Sequence, residues 1–345
     1  MKLQSFALIL FFALLNGWGY WHAQQIPIPD QKLNVTMIQA NIGNHEKLVA
    51  EKGYQNYQDF ILNKHIQLST EALKKHPQTQ LLIWPESAIP AKLDPEFYNQ
   101  YIPGKLLNFT NQLSIPILTG GLSRHTPLKS PRSYLYNALF VFQKNSEASV
   151  YRKSILLAFG EYLPFGEAYP WLYKLLPFVS DFGKGKGPET LALKVENSPL
   201  KIGPQICYEG LFSSFSNKLS EQGAQILVNL TNDSWFTPPL QKKLQFESLQ
   251  HLYMTSARSI ETRLPLLRAT NTGISTGVDQ MGNLYNPSTT LTESIVHFTI
   301  PFSSSPTKTF FVQWGHWDWL FWLILFFIIL GAQLPLKKED TNEKR

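Results

Sequence analysis

Three polar residues close short apolar runs in this sequence, and their types suit covalent acyl chemistry. Glu86 ends QLLIWPE, with Pro85 restraining the backbone before it. Cys207 closes KIGPQICYE and is the only cysteine in the chain. Lys153 lies in VYRKSILLAFGEYLPFGE, where Glu161 follows eight residues later. A thiol with an ordinary pKa of ~8.5 is only a few per cent thiolate at neutral pH, so its use as a nucleophile needs a base beside it. Attack on an ester or amide carbonyl also builds an oxyanion, which an ammonium or a backbone N–H stabilises. Taken singly, each residue has an ordinary alternative: a solvated rim carboxylate, a surface lysine, or a small core thiol. Only their convergence would make a site.

Convergence requires elements that end together. LNVTMIQANI (33–42), QLLIWPE (80–86), IPILTGG (115–121), NALFVFQ (137–143), KIGPQICYE (201–209) and AQILVNLTN (224–232) are short apolar runs ending in polar or turn residues, the pattern of buried strands. Residues 54–76 carry apolar side chains at helical spacing until His76-Pro77 stops them, and 244–263 read as a second helix. Strands alternating with helices predict a layered α/β enzyme scaffold, whose active groups gather where strands end and loops begin.

The chain has 345 residues with 31 Lys+Arg against 25 Asp+Glu, a net charge of +6, and no dense basic run interleaved with aromatics, which argues against nucleic acid as a partner. A lone cysteine excludes an internal disulfide, and the histidines show no metal-ligand spacing, so neither a metal nor another cofactor is expected. Both ends are strongly apolar. Leu3–Tyr20 follows Lys2 and is almost uncharged; Trp319–Leu336 is charge-free, preceded by Trp314 and Trp317 and followed by Lys337 and Lys338. These runs are read as one anchor over 1–23, not cleaved near Ala23, and a second transmembrane helix over 314–336. The positive flanks place both termini, including the tail 337–345, in the cytoplasm and the segment between the spans outside it.

WPES, YRKSILLAFGEYLPFGE, ICYE, NLTNDSWF and SARSIETRLPLLRATNTGIS occur in this order. Together they resemble the nitrilase (carbon-nitrogen hydrolase) superfamily, and within it the membrane branch of apolipoprotein N-acyltransferases. The resemblance implies a nitrilase-like α/β/β/α sandwich over 30–305, flanked by one N-terminal and one C-terminal transmembrane helix. It implies Glu86 as general base, Lys153 as catalytic lysine and Cys207 as nucleophile. Glu161 falls where the family keeps a second essential glutamate, and Tyr208 and Glu209 complete a Cys-Tyr-Glu motif. The implied partners are a phospholipid acyl donor and an apolipoprotein acceptor, in a membrane-embedded enzyme of the bacterial cytoplasmic (inner) membrane with its catalytic domain on the periplasmic side. An anchored amidase or hydrolase, and a non-catalytic lipoprotein-binding module, are the alternative readings.

Departures from the family pattern are also expected to matter. Family members carry several hydrophobic helices ahead of the catalytic domain where this sequence has one, which reads either as a frame cut at Met1 or as a reduced form. Leu48 follows Lys47 where the family tends to have Trp, and Thr237 with Pro238-Pro239 replaces a glycine after NDSWF. GKGKGP (183–188) lacks the spacing and ending of a nucleotide-binding loop and reads as a flexible connection. NDSW (232–235) and ATNTG (269–273) read as framework near the site. Phe159, Phe165, Trp171, Tyr173 and Phe178 read either as core or lid packing or as a loop that dips into the membrane to admit acyl chains.

Overall fold

The computed structural model describes residues 2–333 except 44–45, 47–48, 51, 127–132, 178, 197 and 237–245. Leu48, Thr237, Phe178 and the tail 337–345 therefore lie outside the described residues. Two sheets form its centre. The first has the strand order β13-β1-β2-β4-β5-β6, with β3 beside β4. Its members are β1 (Gln31–Gln39), β2 (Leu81–Ile83), β3 (Ile89–Lys92), β4 (Ile117–His125), β5 (Tyr134–Phe142), β6 (Ser149–Arg152) and β13 (Ser294–Phe302). The second runs β12-β11-β10-β9-β8-β7. It comprises β7 (Leu191–Val195), β8 (Ser198–Ile206), β9 (Ile226–Thr231), β10 (Leu266–Thr270), β11 (Thr276–Val278) and β12 (Leu284–Tyr285).

Alternation of side chains along buried strands divides the core into layers. Leu81, Ile83, Leu139 and Val141 join the cluster that also takes in Ile202, Ile206, Val228 and Leu230 of the second sheet. Their neighbours Leu82, Trp84, Phe140 and Phe142 face the other way, against Ile61, Leu62, Leu68 and Leu106 of the helices Gln55–Lys75 and Tyr101–Gln112. On the far side the helices Ser213–Glu221 and Phe246–Thr262 cover the second sheet, so the layers run α/β/β/α. The helix foreseen over 54–76 spans Gln55–Lys75 and that over 244–263 spans Phe246–Thr262. Unassigned from sequence was β13, which returns to pair antiparallel with β1 from Gln31↔Phe302 to Gln39↔Ser294. Its partner lies some 260 residues upstream, and local periodicity carries no record of that.

Helices do occupy both flanks. Lys2–Ala23 is a 22-residue helix, while the C-terminal apolar run is broken into Phe310–Trp314, Gly315–Trp317 and a 16-residue helix Asp318–Gln333. Among the described residues, no helix is long and apolar enough to cross a membrane. Within the first, Asn16 Nδ2 bonds back to the Phe12 carbonyl, and the last ends its described part at Gln333.

Candidate active site

Glu86, Lys153 and Cys207 each stand just past a strand end: Glu86 three residues after β2, Lys153 after β6 and Cys207 after β8. Parallel pairing of β1 with β2, of β2 with β4, of β8 with β9, and of β9 with β10 places several strand ends on one side of the sandwich. The backbone turns sharply there. Ser87, directly after Glu86, has φ 49°, and Cys207 itself has φ 50°, both in the left-handed region that non-glycine residues seldom occupy. The Glu86 turn also requires Gly120 on β4. A Cβ there would lie 2.5 Å from the Ser87 nitrogen and 2.7 Å from the Glu86 Cα, so the bare backbone lets the turn settle against the strand.

Lys153 is almost wholly buried, and its ammonium lies 2.8 Å from Glu161 Oε1 and 3.5 Å from Glu86 Oε1. Asn137 on β5 donates to both carboxylates, at 2.7 Å to Glu86 Oε1 and 3.1 Å to Glu161 Oε1. The second oxygen of Glu86 accepts from the Asn232 N–H at 2.8 Å, and that of Glu161 from the Leu157 N–H at 2.9 Å. Both carboxylates thus accept from several donors around one cation. Burial alone would lower the Lys153 pKa, but Glu86 and Glu161 outweigh it and hold it raised, so the residue is an ammonium throughout the working pH range. The partly buried Cys207 thiol experiences the opposite. Burial and then the charge of Glu86 push its pKa well above 9.0, with Lys153 pulling only partly against them. The Cys207 side chain therefore rests as a neutral thiol rather than a preformed thiolate.

Glu209 ties the lysine strand to the cysteine strand. Its Oε1 accepts from the Tyr151 hydroxyl at 2.6 Å and from the Ser154 and Ile155 N–H groups at 2.7 and 3.1 Å, while Oε2 accepts from the Ile206 N–H at 2.8 Å. Burial raises its pKa against the pull of these donors. Tyr208 does something else: its ring packs edge-on against Phe212, with centroids 5.1 Å apart. GKGKGP is more constrained than a flexible connection. The Gly185 N–H donates to the Lys153 carbonyl at 2.8 Å, and a Cβ at Gly185 would collide with the Arg152 carbonyl.

Sequence reasoning missed Asn137, His251 and Arg268. Each leaves a signal, a polar residue within a buried apolar run or on a buried helix face, but nothing local says where it points. Arg268 on β10 is fully buried and pairs with Asp233 at 3.0 Å. Asp233 belongs to NDSW, and Gly273 of ATNTG leaves room for it, since a Cβ there would strike its carboxylate. Burial would raise the Asp233 pKa, but Arg268 and His251 together hold it below 3.8. A carboxyl that titrates lower in the folded than in the unfolded state contributes its full stability above 3.8 and loses it as pH falls through the depressed value. Arg268→Ala should destabilise the fold by about 3–5 kcal/mol at neutral pH, because it strands a buried carboxylate. Denaturant unfolding should show this difference shrinking towards pH 3; an equal difference at both pH values would contradict the pairing.

Beside the site, Ile155, Leu156, Tyr162, Leu163, Phe165 and Tyr173 line much of a cavity of about 480 Å³. Phe165 and Trp171 are 77% and 56% exposed, so this aromatic segment presents apolar rings outward instead of packing them into the core.

Residues 34–304 match the carbon-nitrogen hydrolase family, and the chain belongs to it. The crystal structure of a carbon-nitrogen hydrolase from Helicobacter pylori shares the fold, with a TM-score of 0.56 and 16% identity over 85% of this chain and 94% of that one. Within the family, the chain is 46% identical over 98% of its length to the apolipoprotein N-acyltransferase of Bdellovibrio bacteriovorus, of which it covers 60%. It is 28% identical over 99% of its length to the Rickettsia typhi protein of the same name, of which it covers 63%. The chain thus spans a little over half the length of these curated relatives.

Proposed function

We propose that this chain is an N-acyltransferase that moves a fatty acyl group from a phospholipid, through a thioester on Cys207, to the α-amine of the N-terminal diacylglyceryl-cysteine of apolipoproteins. The observation that carries the reading is the meeting of Glu86 and Lys153 beside a neutral Cys207 thiol, in a chain that aligns along nearly its whole length with proteins of that name. Glu86 takes the thiol proton as Sγ attacks the ester carbonyl. Lys153, with a backbone N–H at the Cys207 turn, offsets the oxyanion. The acyl–oxygen bond then breaks, and Glu86 returns the proton to the departing lysophospholipid alkoxide. In the second half the free amine attacks the thioester, Glu86 removes the ammonium proton, and the thiolate leaves and recovers it. Glu161 and Asn137 hold Lys153 and Glu86 in register through both halves, and no metal is required.

The exposed apolar side chains of both flanking helices, among them Phe11, Phe12, Trp18, Trp319, Trp322 and Phe326, support attachment to the bacterial cytoplasmic membrane with the catalytic domain on its outer side. Phe165 and Trp171 would then meet the bilayer, and the cavity behind Phe165 would receive an acyl chain. That placement keeps the thioester dry while it waits for a scarce amine against ~55 M water. In detergent without acceptor, the acyl-enzyme is expected to persist for minutes and then discharge when a diacylated lipopeptide with a free N-terminal amine is added. The lipopeptide with its amine acetylated should leave it intact. Rapid release of free fatty acid without amine, with no triacylated product when the lipopeptide is present, would favour an anchored hydrolase and overturn the transferase.

A further inference from the structure

Behind the nucleophile runs a closed circuit of buried side chains that the reaction scheme does not use. It starts and ends on the carbonyl oxygen of Cys207. Asn229 Nδ2 donates to that oxygen at 3.3 Å, and its Oδ1 accepts from Arg268 Nη1 at 2.6 Å. The register of the parallel strands, Gln205↔Asn229 and Arg268↔Asn229, puts these residues side by side. Arg268 Nη2 donates to Asp233 Oδ2 at 3.0 Å, and Asp233 Oδ1 lies 3.1 Å from His251 Nδ1. The circuit closes where His251 Nε2 approaches the Cys207 carbonyl at 3.4 Å. All four side chains are at least nine-tenths buried. Since Glu209 holds the Ile206 N–H, the residue with the left-handed backbone is gripped on both sides.

The imidazole faces an acceptor with each nitrogen, a carboxylate oxygen at Nδ1 and a peptide carbonyl at Nε2. A neutral imidazole has one N–H and can serve only one of them; the Asp233 anion is the stronger acceptor and takes it. The Nε2 lone pair then opposes the Cys207 oxygen, in keeping with a separation beyond the usual hydrogen-bond range. An imidazolium serves both.

We propose that His251 is a positioning residue for the nucleophile, seated on the Cys207 carbonyl by this circuit, and that its imidazolium form grips the carbonyl where its neutral form does not. Among the described residues, the charged groups facing it are Asp233, from the turn after β9, and Arg268, from β10. Burial, and then Arg268, lower its pKa from 6.5 against the pull of Asp233. The grip therefore tightens as pH falls through that lowered value. The added positive charge also favours the thiolate, so the thiol loses reactivity on acidification more slowly than a lone thiol would.

The sole cysteine makes this measurable without any acyl substrate, and so independently of the acyltransferase reading. The rate of Cys207 carbamidomethylation by iodoacetamide would be followed by intact mass between about pH 5 and 9. The full chain in detergent would be compared with His251→Ala and with His251→Gln, whose amide keeps N–H donors but cannot gain a charge. A lone thiol loses rate tenfold per pH unit below its pKa. The wild type should fall less steeply towards pH 5, ending ~3–10-fold above the extrapolated line, whereas both variants follow the line. If His251→Ala does not fold, the Gln variant decides. Profiles of the same shape in wild type and the folded variants, whatever their absolute rates, would overturn the proposal and leave His251 a packing residue.

Discussion

Replacing Glu86 with Gln is expected to slow formation of the Cys207 acyl-enzyme by about 10³–10⁴-fold while leaving alkylation of the same thiol by iodoacetamide as fast as before or faster. The two readouts part because Glu86 has two opposed effects on Cys207. As a nearby anion it raises the thiol pKa, and removing its charge increases the thiolate fraction. Alkylation consumes thiolate and releases halide, which needs no proton, so it gains from the change. Acylation by an ester loses twice: no base takes the proton as the thiol attacks, and no acid returns it to the lysophospholipid alkoxide. Glutamine retains the side-chain size and an acceptor for Asn137 or the Asn232 N–H, so the fold around Lys153 is preserved. Parallel losses in both readouts would assign Glu86 to holding the pocket together instead of moving protons.

The fold was legible in the sequence wherever it rests on local periodicity. Apolar runs ending in Glu86 and Cys207 became strands closing in sharp turns, and the run halted by His76-Pro77 became a helix ending at Lys75. Glu86, Lys153 and Glu161 could be named because each follows an apolar run in an ordered set of motifs, and the structure brings these three into contact. Residues whose work depends on distant partners were not legible. Asn137 looks like the polar start of an apolar strand, yet it bridges two carboxylates that lie 51 and 24 residues away. Arg268 looks like a charge misplaced in LPLLRAT until Asp233 and Asn229 appear beside it. Tyr208 was grouped with Glu209 by motif, but the turn after Cys207 sends the two side chains apart, one to Phe212 and the other into the clamp between β6 and β8. Hydropathy marked both flanking apolar runs, and Lys2–Ala23 is one helix as read, but it could not show where Gly315 divides the C-terminal run.

Cys207 is proposed to carry the acyl group, and substitution there should have the largest effect of all. No other cysteine exists to take over. Cys207→Ala removes only the sulfur, while Asn229 and Glu209 continue to hold the backbone of the turn. The variant should therefore fold like the wild type and transfer nothing. Intact-mass analysis after incubation with phospholipid tests this directly. The wild type is predicted to gain one acyl group that hydroxylamine removes, as a thioester requires, and Cys207→Ala to gain none. An acyl adduct of equal occupancy on the alanine variant would place the nucleophile elsewhere and contradict the account.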